Sequence, residues 1–254
     1  MSIAETIAET IAETIELFRE DAYLKTCEAT VTAVHDGDGA GAAAGVCVDR
    51  TVFYPEGGGQ PGDTGVMTRA GGAQLTVADT RKHRDSGAHL HILEAGAAPP
   101  AVGETVTLSI DWARRHRLMR MHSCMHMLCA VIPAPVTGGA IRDGSARLDF
   151  DLPQAPNKAQ VEAELQRLIA ADHPMSLRWI SDAEMDAQPE LVRTMSVKPP
   201  RGSGRVRLVE FEGADLQPCG GTHVASSGEI GAVRIQSIKN KGKQNRRITV
   251  EFAD

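Results

Sequence analysis

Two pairs of side chains have the residue types and the spacing of metal ligands. His122 and His126 lie in a long run without glycine or proline, so a helix would place both imidazoles on one face. Cys219 and His223 flank Gly-Gly-Thr, and the two glycines favour a tight turn that brings thiolate and imidazole to one side. Either pair alone is also compatible with a packed helix face or an ordinary loop. Together they form a tetrahedral set of three imidazoles and one thiolate that suits zinc, provided that the pairs meet in space.

A glycine-rich stretch at residues 54–65 is the next segment whose composition could serve binding or catalysis. It has five glycines and two prolines in twelve residues. It lacks the Gly-Lys-Ser/Thr of a Walker loop and the glycine spacing of a dinucleotide-binding turn. Two interpretations remain open, a hairpin turn or a loop closely approached by other backbone or by a ligand.

The charge is unevenly distributed along the chain. A net charge of −6 argues against a protein that coats polyanions in general, yet residues 193–250 hold eleven Lys and Arg against four acids. That segment therefore carries +7 and the remainder −13. Basic runs are usually solvated faces, but two clusters flanking the histidine and cysteine pairs favour a phosphate-rich partner. The clusters are Arg114, Arg115, Arg117 and Arg120, and Lys239, Lys241, Lys243, Arg246 and Arg247.

The elements that must position these residues fall into two regions, with a boundary near residue 110. Residues 17–110 predict a small N-terminal β-barrel-like domain, because short alternating runs are separated by Gly, Asp and Pro clusters. The predicted strands are Glu28–His35, Gly45–Phe53, Ala73–Asp79, Ala88–Glu94 and Glu104–Ile110.

Residues 111–254 predict an α+β domain with a helix-packed antiparallel sheet. A helix should run from Trp112 to Val131, since Pro133 and Pro135 follow it. A second helix should end near Ala171, and a short one is expected at Asp182–Gln188. The predicted strands are Ala146–Asp151, Met175–Ile180, Val206–Phe211, Ile230–Lys239 and Arg247–Phe252.

Residues 1–16 are interpreted as a low-complexity N-terminal extension. The tetrapeptide Ile-Ala-Glu-Thr occurs three times, and Ile15-Glu16 begins a fourth copy. In a helix the isoleucines at positions 3, 7, 11 and 15 would form one stripe. A short helix or a frayed terminus is expected.

Several features favour a cytoplasmic protein without a membrane segment. No run of eighteen apolar residues is present, and the acidic N-terminus is unlike a secretory signal. The five cysteines are irregularly spaced, which favours free or metal-bound thiols and no disulfide-linked partner. Cys124 and Cys129 are expected to be buried as small hydrophobic side chains. Because only nine residues are aromatic, nucleic-acid recognition should rest on phosphate contacts with little base stacking.

From about Leu17 onwards, the chain resembles the AlaX family of free-standing alanyl-tRNA editing proteins in its medium-length form, related to the editing domain of alanyl-tRNA synthetase. The initial Ile-Ala-Glu-Thr repeat is not part of that pattern. The resemblance rests on the His122 and His126 pair, the glycine-rich stretch and four further segments. These are Ala146-Arg-Leu-Asp-Phe-Asp151, Glu190-Leu-Val-Arg-Thr194, Cys219–Val224 and Lys241-Gly-Lys-Gln-Asn-Arg-Arg247.

The resemblance implies a zinc-dependent, ATP-independent deacylase that serves translation fidelity. Its substrate would be alanine-specific tRNA mischarged with serine, with glycine as a further candidate, because a synthetase pocket for alanine rejects both poorly. One zinc ion and the catalytic site would be formed by His122, His126, Cys219 and His223. Thr137 would bind the serine hydroxyl. Further substrate contacts are expected from Gly57, Gly58, Gly59, Gln60, Lys241, Lys243, Arg246 and Arg247.

Two other functions stay open at the level of sequence. Four protein ligands would close a zinc tetrahedron, which is typical of a structural site and would suit a tRNA-binding module without catalysis. A zinc hydrolase acting on another aminoacyl ester is the second alternative.

Overall fold

The structure, a computed structural model, describes residues 14–35, 43–193 and 204–253. It divides into two compact units that are interleaved in sequence. The first comprises Met1–Glu56 and Gly62–Arg115, and the second comprises Gly57–Pro61 and His116–Asp254. Residues 57–61 thus group with the second unit, although the sequence boundary near residue 110 places them in the first. Within the described ranges, no helix has both the length and the apolar character needed to cross a membrane.

Antiparallel strands close into a barrel in the first unit, in the order β2-β3-β7-β6-β5-β8. The strands of this unit are β1 (Ile15–Glu16), β2 (Thr26–His35), β3 (Gly45–Val48), β4 (Arg50–Thr51), β5 (Gly65–Arg69), β6 (Gln74–Lys82), β7 (His89–Leu93) and β8 (Thr105–Ile110). Aliphatic side chains fill the barrel, with Val31, Met67 and Leu108 among those fully buried. The predicted barrel-like domain is confirmed, and closure leaves these six strands without free edges.

The sequence prediction missed β5. Gly65 begins this strand and Gly71-Gly72 follow it, so the segment has the composition of a loop. The backbones are so close here that a Cβ on Gly65 would lie 2.2 Å from the carbonyl oxygen of Ser109. Glycine is therefore required by the close strand packing in the barrel.

The end of the N-terminal repeat is part of the barrel unit, which corrects its interpretation as a mere extension. Ile15 and Glu16 form β1, which pairs in parallel with β4, so Ile15 is not in a helix. The Glu16 carboxylate forms ion pairs with Arg19 and Lys82. Burial alone would raise the pKa of Glu16, but the neighbouring His89 and these two cations hold it well below its usual range. Isoleucines 3, 7 and 11 lie outside the described residues.

The second unit combines helices with two antiparallel sheets, in agreement with the predicted α+β class. Its sheets have the strand orders β14-β15-β10-β9 and β11-β12-β13. Its helices are α1 (Trp112–Val131, whose first turn lies in the first unit), α2 (Lys158–Ala170) and α3 (Asp182–Asp186). Its strands are β9 (Val136–Arg142), β10 (Ser145–Asp151), β11 (Met175–Ser181), β12 (Arg205–Phe211), β13 (Asp215–Pro218), β14 (Val233–Asn240) and β15 (Asn245–Phe252).

Helix α1 is the central element of the second unit. Every residue from Met121 to Cys129 is buried, so the helix is enclosed on all sides, as expected for a core helix. Cys124 and Cys129 are among them, as predicted, and burial raises the pKa of each thiol to about 12. The two α1 histidines therefore lie in a continuously buried stretch of the helix.

Candidate metal centre

The two ligand pairs of the sequence meet in the second unit. The potential ligand atoms of His122, His126, Cys219 and His223 all lie within 4.8 Å of one another. The Cys219 Sγ is 3.4 Å from His122 Nε2 and 3.3 Å from His223 Nε2. The three imidazoles are buried and Cys219 is half-buried.

Backbone geometry explains how the Cys219–His223 turn reaches helix α1. The buried Arg207 on β12 donates hydrogen bonds from Nη1 to the carbonyl oxygens of Cys219 and Gly221, each at 2.9 Å. A Cβ on Gly221 would lie 2.1 Å from Cε1 of His122. Only glycine at position 221 allows the turn to approach the imidazole this closely.

The electrostatics of the group favour the metal-binding protonation states of Cys219 and His223. Burial alone would keep the Cys219 thiol protonated, but His122 and His223 lower its pKa well below the ordinary value. Burial and the neighbouring His122 lower the pKa of His223, which keeps this imidazole neutral. Burial would lower the pKa of His126 as well, yet hydrogen bonds and charge from Asp215 and Cys219 raise it to about 9. A cation that replaces the His126 proton would satisfy the same two anionic groups.

Each imidazole has an outer partner at Nδ1, which leaves Nε2 for a metal. His122 Nδ1 donates to Oε1 of Gln60 at 2.7 Å, and His126 Nδ1 donates to Oδ2 of Asp215 at 2.9 Å. His223 Nδ1 lies 3.2 Å from Oγ of Ser123. Such partners fix the tautomer and the ring orientation of metal-binding histidines.

These observations fit zinc. Zinc is a borderline-soft metal ion, and it prefers donor sets such as these three imidazole nitrogens and one thiolate. The outer hydrogen bonds complete the pattern that accompanies zinc ligands. The group can hold a metal ion through these four side chains.

The glycine-rich stretch has a structural function that combines the two sequence interpretations. Gly57 and Gln60 exchange backbone hydrogen bonds across a tight turn, in which Gly58 and Gly59 adopt φ of 57° and 84°. The carbonyl oxygen of Gly59 accepts a hydrogen bond from the amide of Ile141 on β9. This turn delivers the fully buried Gln60 to the metal centre, where its Nε2 also donates to Oγ1 of Thr222 at 2.8 Å. Gln60 was expected to contact substrate, and the structure places it behind His122.

Thr137 lies on β9, in the same unit as the ligand group. Its hydroxyl donates to the carbonyl oxygen of Asp149 and accepts from Nδ2 of Asn245, both at 3.1 Å. One lone pair of Oγ1 remains for a further donor. The structure thus limits Thr137 to accepting a hydrogen bond from a ligand.

The basic tail divides into exposed and internally bound residues. Lys241 and Lys243 are exposed between β14 and β15. Arg247 forms a two-pronged ion pair with Asp149, with both contacts at 2.7 Å. Arg246 is 7% exposed, and its guanidinium donates to carbonyl oxygens that include those of Gly242 and Pro153. Arg246 is therefore a structural residue, and its expected contact with RNA is corrected.

The arginines at the start of α1 likewise have internal partners. Arg115 is fully buried and pairs with Asp63, and Arg114 donates to the carbonyl oxygen of Gly62. Arg117 pairs with Asp143. Arg120 donates to the carbonyl oxygen of Ile230. The prediction that this cluster marks a phosphate-binding face was wrong for Arg115, and the other three side chains also make intramolecular contacts.

Comparison with known proteins identifies the family. Alanyl-tRNA editing protein AlaX-M from Methanosarcina mazei is 36% identical over 247 residues, covering 94% of this chain and 96% of the relative. The AlaX-M protein from Methanosarcina barkeri is 37% identical over 245 residues, covering 94% and 98%. The chain belongs to the AlaX family of alanyl-tRNA editing proteins.

Sequences of alanyl-tRNA synthetases also match this AlaX protein. The alanine–tRNA ligase from Pyrobaculum aerophilum is 36% identical over 235 residues, which are 88% of this chain and 25% of the ligase. Residues 206–249 match the family model described as the threonyl and alanyl tRNA synthetase second additional domain. Residues 5–114 match the model described as tRNA synthetases class II (A). The resemblance inferred from the sequence motifs is confirmed.

Asp215 and Gln217 of this AlaX chain, which support the ligands from outside, were not predicted from the sequence. Asp215 and Gln217 precede Cys219 at alternate positions, so a strand would direct all three side chains to one face. The Gln217 Nε2 donates to Oδ2 of Asp215 at 2.8 Å and holds the carboxylate that binds His126. This alternation was the available signal, but β13 was not predicted.

Proposed function

We propose that the protein hydrolyses the ester that joins serine to the 3′ end of alanine-specific tRNA, with glycyl-tRNA as the second substrate to be tested. The observation that carries the proposal is the convergence of three imidazoles and one thiol within 4.8 Å, in a chain that belongs to the AlaX family. The relatives named alanyl-tRNA editing proteins support tRNA as the partner.

Zinc is the proposed ion for the four-ligand group, and when bound it supplies a Lewis acid beside the ester and lowers the pKa of water. In this chain, Gln60 and Asp215 accept hydrogen bonds from Nδ1 and hold His122 and His126 in one tautomer, and Ser123 contacts Nδ1 of His223. Arg207 holds the turn that carries Cys219. These residues maintain a fixed site, so little reorganisation is needed when the ester arrives.

Serine selection is proposed to use the free lone pair of Thr137. Because the Thr137 hydroxyl already donates to Asp149, it can accept a hydrogen bond from a serine hydroxyl. Alanine has no such donor, so its binding would leave a polar atom without a partner. A site of this kind discriminates by hydrogen bonding, where an apolar pocket cannot.

A side-by-side deacylation assay tests this function. Alanine-specific tRNA charged with serine, glycine or alanine is incubated with the protein, and release of each amino acid is timed. We expect kcat/KM for the seryl ester to exceed that for the alanyl ester by roughly 100-fold or more. Metal analysis of the purified protein should find one zinc per chain. Equal rates on unrelated aminoacyl esters would favour a broader esterase, and absence of hydrolysis with tRNA binding retained would favour a non-catalytic module.

Exposed lysines of the tail are proposed to contact the tRNA backbone. Replacing Lys241 and Lys243 together by alanine should weaken tRNA binding and reduce the slope of log K against log salt by about 1 to 2, since one counterion is released for each phosphate contact. Lys158→Ala removes another exposed lysine, at the start of α2, and serves as the control. An unchanged slope in the double variant would show that the tail does not bind RNA.

A further inference from the structure

A tryptophan lies in the same cross-strand row as the metal-site thiol. Trp179 on β11 is directly opposite Arg207 on β12. The register of β12 with β13 continues one residue further, where the amide of Cys219 donates to the carbonyl oxygen of Arg207. Directly opposed residues of antiparallel strands project to the same face. Trp179, Arg207 and Cys219 therefore form one row across the sheet face.

That face is the one directed at the metal centre. Asp215 and Gln217, at alternate positions before Cys219, hydrogen-bond with each other, and Asp215 also binds His126. The opposite face carries Val206 and Leu208, which pack into a separate apolar cluster. Trp179 alternates with residues of that cluster and so belongs to the metal-centre face.

The row places the tryptophan at a defined distance from the site. Neighbouring strands are about 4.8 Å apart, so the Cα atoms of Trp179 and Cys219 are separated by about 10 Å. This is comparable to the length of one nucleoside. A nucleotide esterified at its ribose could therefore have its ester at Cys219 and its base near Trp179.

The surroundings of Trp179 combine an aromatic surface with positive charge. The ring is half-buried, and the guanidinium carbon of the exposed Arg205 lies 4.4 Å from the ring centroid. Proteins that bind unpaired nucleotides use aromatic rings and arginine planes for stacking, and the arginine charge also attracts phosphate. An aromatic ring and an arginine beside a candidate ester-hydrolysing site suit the end of an RNA strand.

We propose that Trp179 and Arg205 form a stacking platform for the terminal nucleobase of the bound tRNA. This inference rests on the proposed function, since it assumes that the ester is presented at Cys219. It also revises the sequence expectation of little base stacking. Few aromatic residues are needed if one of them stands at the position of the terminal base.

Fluorescence provides a test that does not depend on catalysis. In the Trp112→Phe variant, Trp179 is the single tryptophan of the chain. Uncharged tRNA with an intact 3′ end should quench its emission, and the same tRNA without the terminal adenosine should quench it much less. Equal quenching by the two tRNAs, or none with either, would overturn the platform.

Kinetics supply the second arm of the test. Trp179→Ala should raise KM for seryl-tRNA roughly 5- to 100-fold with little change in kcat, and Trp179→Phe should restore most of the loss because stacking is retained. Arg205→Ala should also raise KM. Arg178→Ala is the matched control, since this neighbouring exposed arginine faces away from Trp179 and pairs with Glu210.

The outcomes separate the platform from the proposed function. Selective quenching in a protein that hydrolyses no aminoacyl-tRNA would reject the function and retain the platform. Normal deacylation, with KM unchanged in Trp179→Ala and no adenosine-dependent quenching, would reject the platform alone.

Discussion

Replacement of Cys219 by alanine should abolish metal binding at the four-ligand group and lower kcat/KM for seryl-tRNA by more than about 100-fold. Loss of one outer partner of a metal ligand costs about 10- to 100-fold, so loss of a ligand itself should cost more. The thiolate is also the anionic member of the set, because His122 and His223 lower its pKa. Zinc content and deacylation rate are the two measurements.

Cys27→Ala is the matched control, since this thiol is also half-buried but lies on β2 of the barrel. It should retain metal and activity. Gln60→Ala should give a graded loss of metal affinity, about 10- to 100-fold, because Gln60 orients His122 but is not itself a ligand. Full activity in Cys219→Ala would contradict the metal-centred mechanism, whereas complete unfolding would favour a structural metal.

Asp63→Ala is expected to destabilise the barrel unit by about 3–5 kcal/mol. The Oδ1 and Oδ2 atoms of Asp63 lie 3.0 and 2.9 Å from Nε of Arg115. Oδ2 also accepts a hydrogen bond from the backbone amide of Tyr54 at 2.6 Å. Arg115 is fully buried, and its Nη1 and Nη2 also donate to the carbonyl oxygens of Ala22 and Val52. Removing the carboxylate would leave a buried charge without its counterion. Denaturant unfolding of the variant and the parent measures the difference.

A second aspartate–arginine pair involving α1 gives the control. Asp143 and Arg117 form an ion pair whose side chains are 52% and 43% exposed. Asp143→Ala should therefore cost about 0–1 kcal/mol. In the Asp63→Ala background, the further change Arg115→Met should recover part of the lost stability, because no buried charge remains. A larger cost for Asp143→Ala than for Asp63→Ala would refute this account of the buried pair.

Local patterns predicted the elements and the ligand set well. Helix α1 was predicted with its observed bounds, Trp112–Val131, because neither glycine nor proline interrupts it and Pro133 follows. The four ligands were predicted because a helical turn and a glycine turn each bring two metal-binding side chains to one side. Strand β9 was missed, since Gly138 and Gly139 give it the composition of a loop. A Cβ on Gly139 would lie 2.9 Å from a methyl of Leu148, so a larger residue at this position would require that methyl to shift.

Sequence patterns did not predict the contacts between residues far apart in the chain, or which side chains are buried. The contact of Gln60 with His122 joins residues 62 positions apart, and no periodicity relates them. By charge alone, Arg246 and Lys243 are equivalent. In the structure Arg246 is buried against backbone carbonyl oxygens, whereas Lys243 is exposed. An arginine beside unpaired carbonyl oxygens has a structural use that its position in a basic run does not reveal.

The short Gly57–Pro61 segment has a consequence for how the protein acquires its site. Gln60 hydrogen-bonds with Thr222, which is 162 residues away in the chain. Contacts of such sequence separation are slow to form, because loop closure must precede them. We therefore expect His122 to gain its fixed orientation late in folding, after residue 222 has been synthesised. A fragment that began at α1 would contain all four ligands but would lack the acceptor for His122.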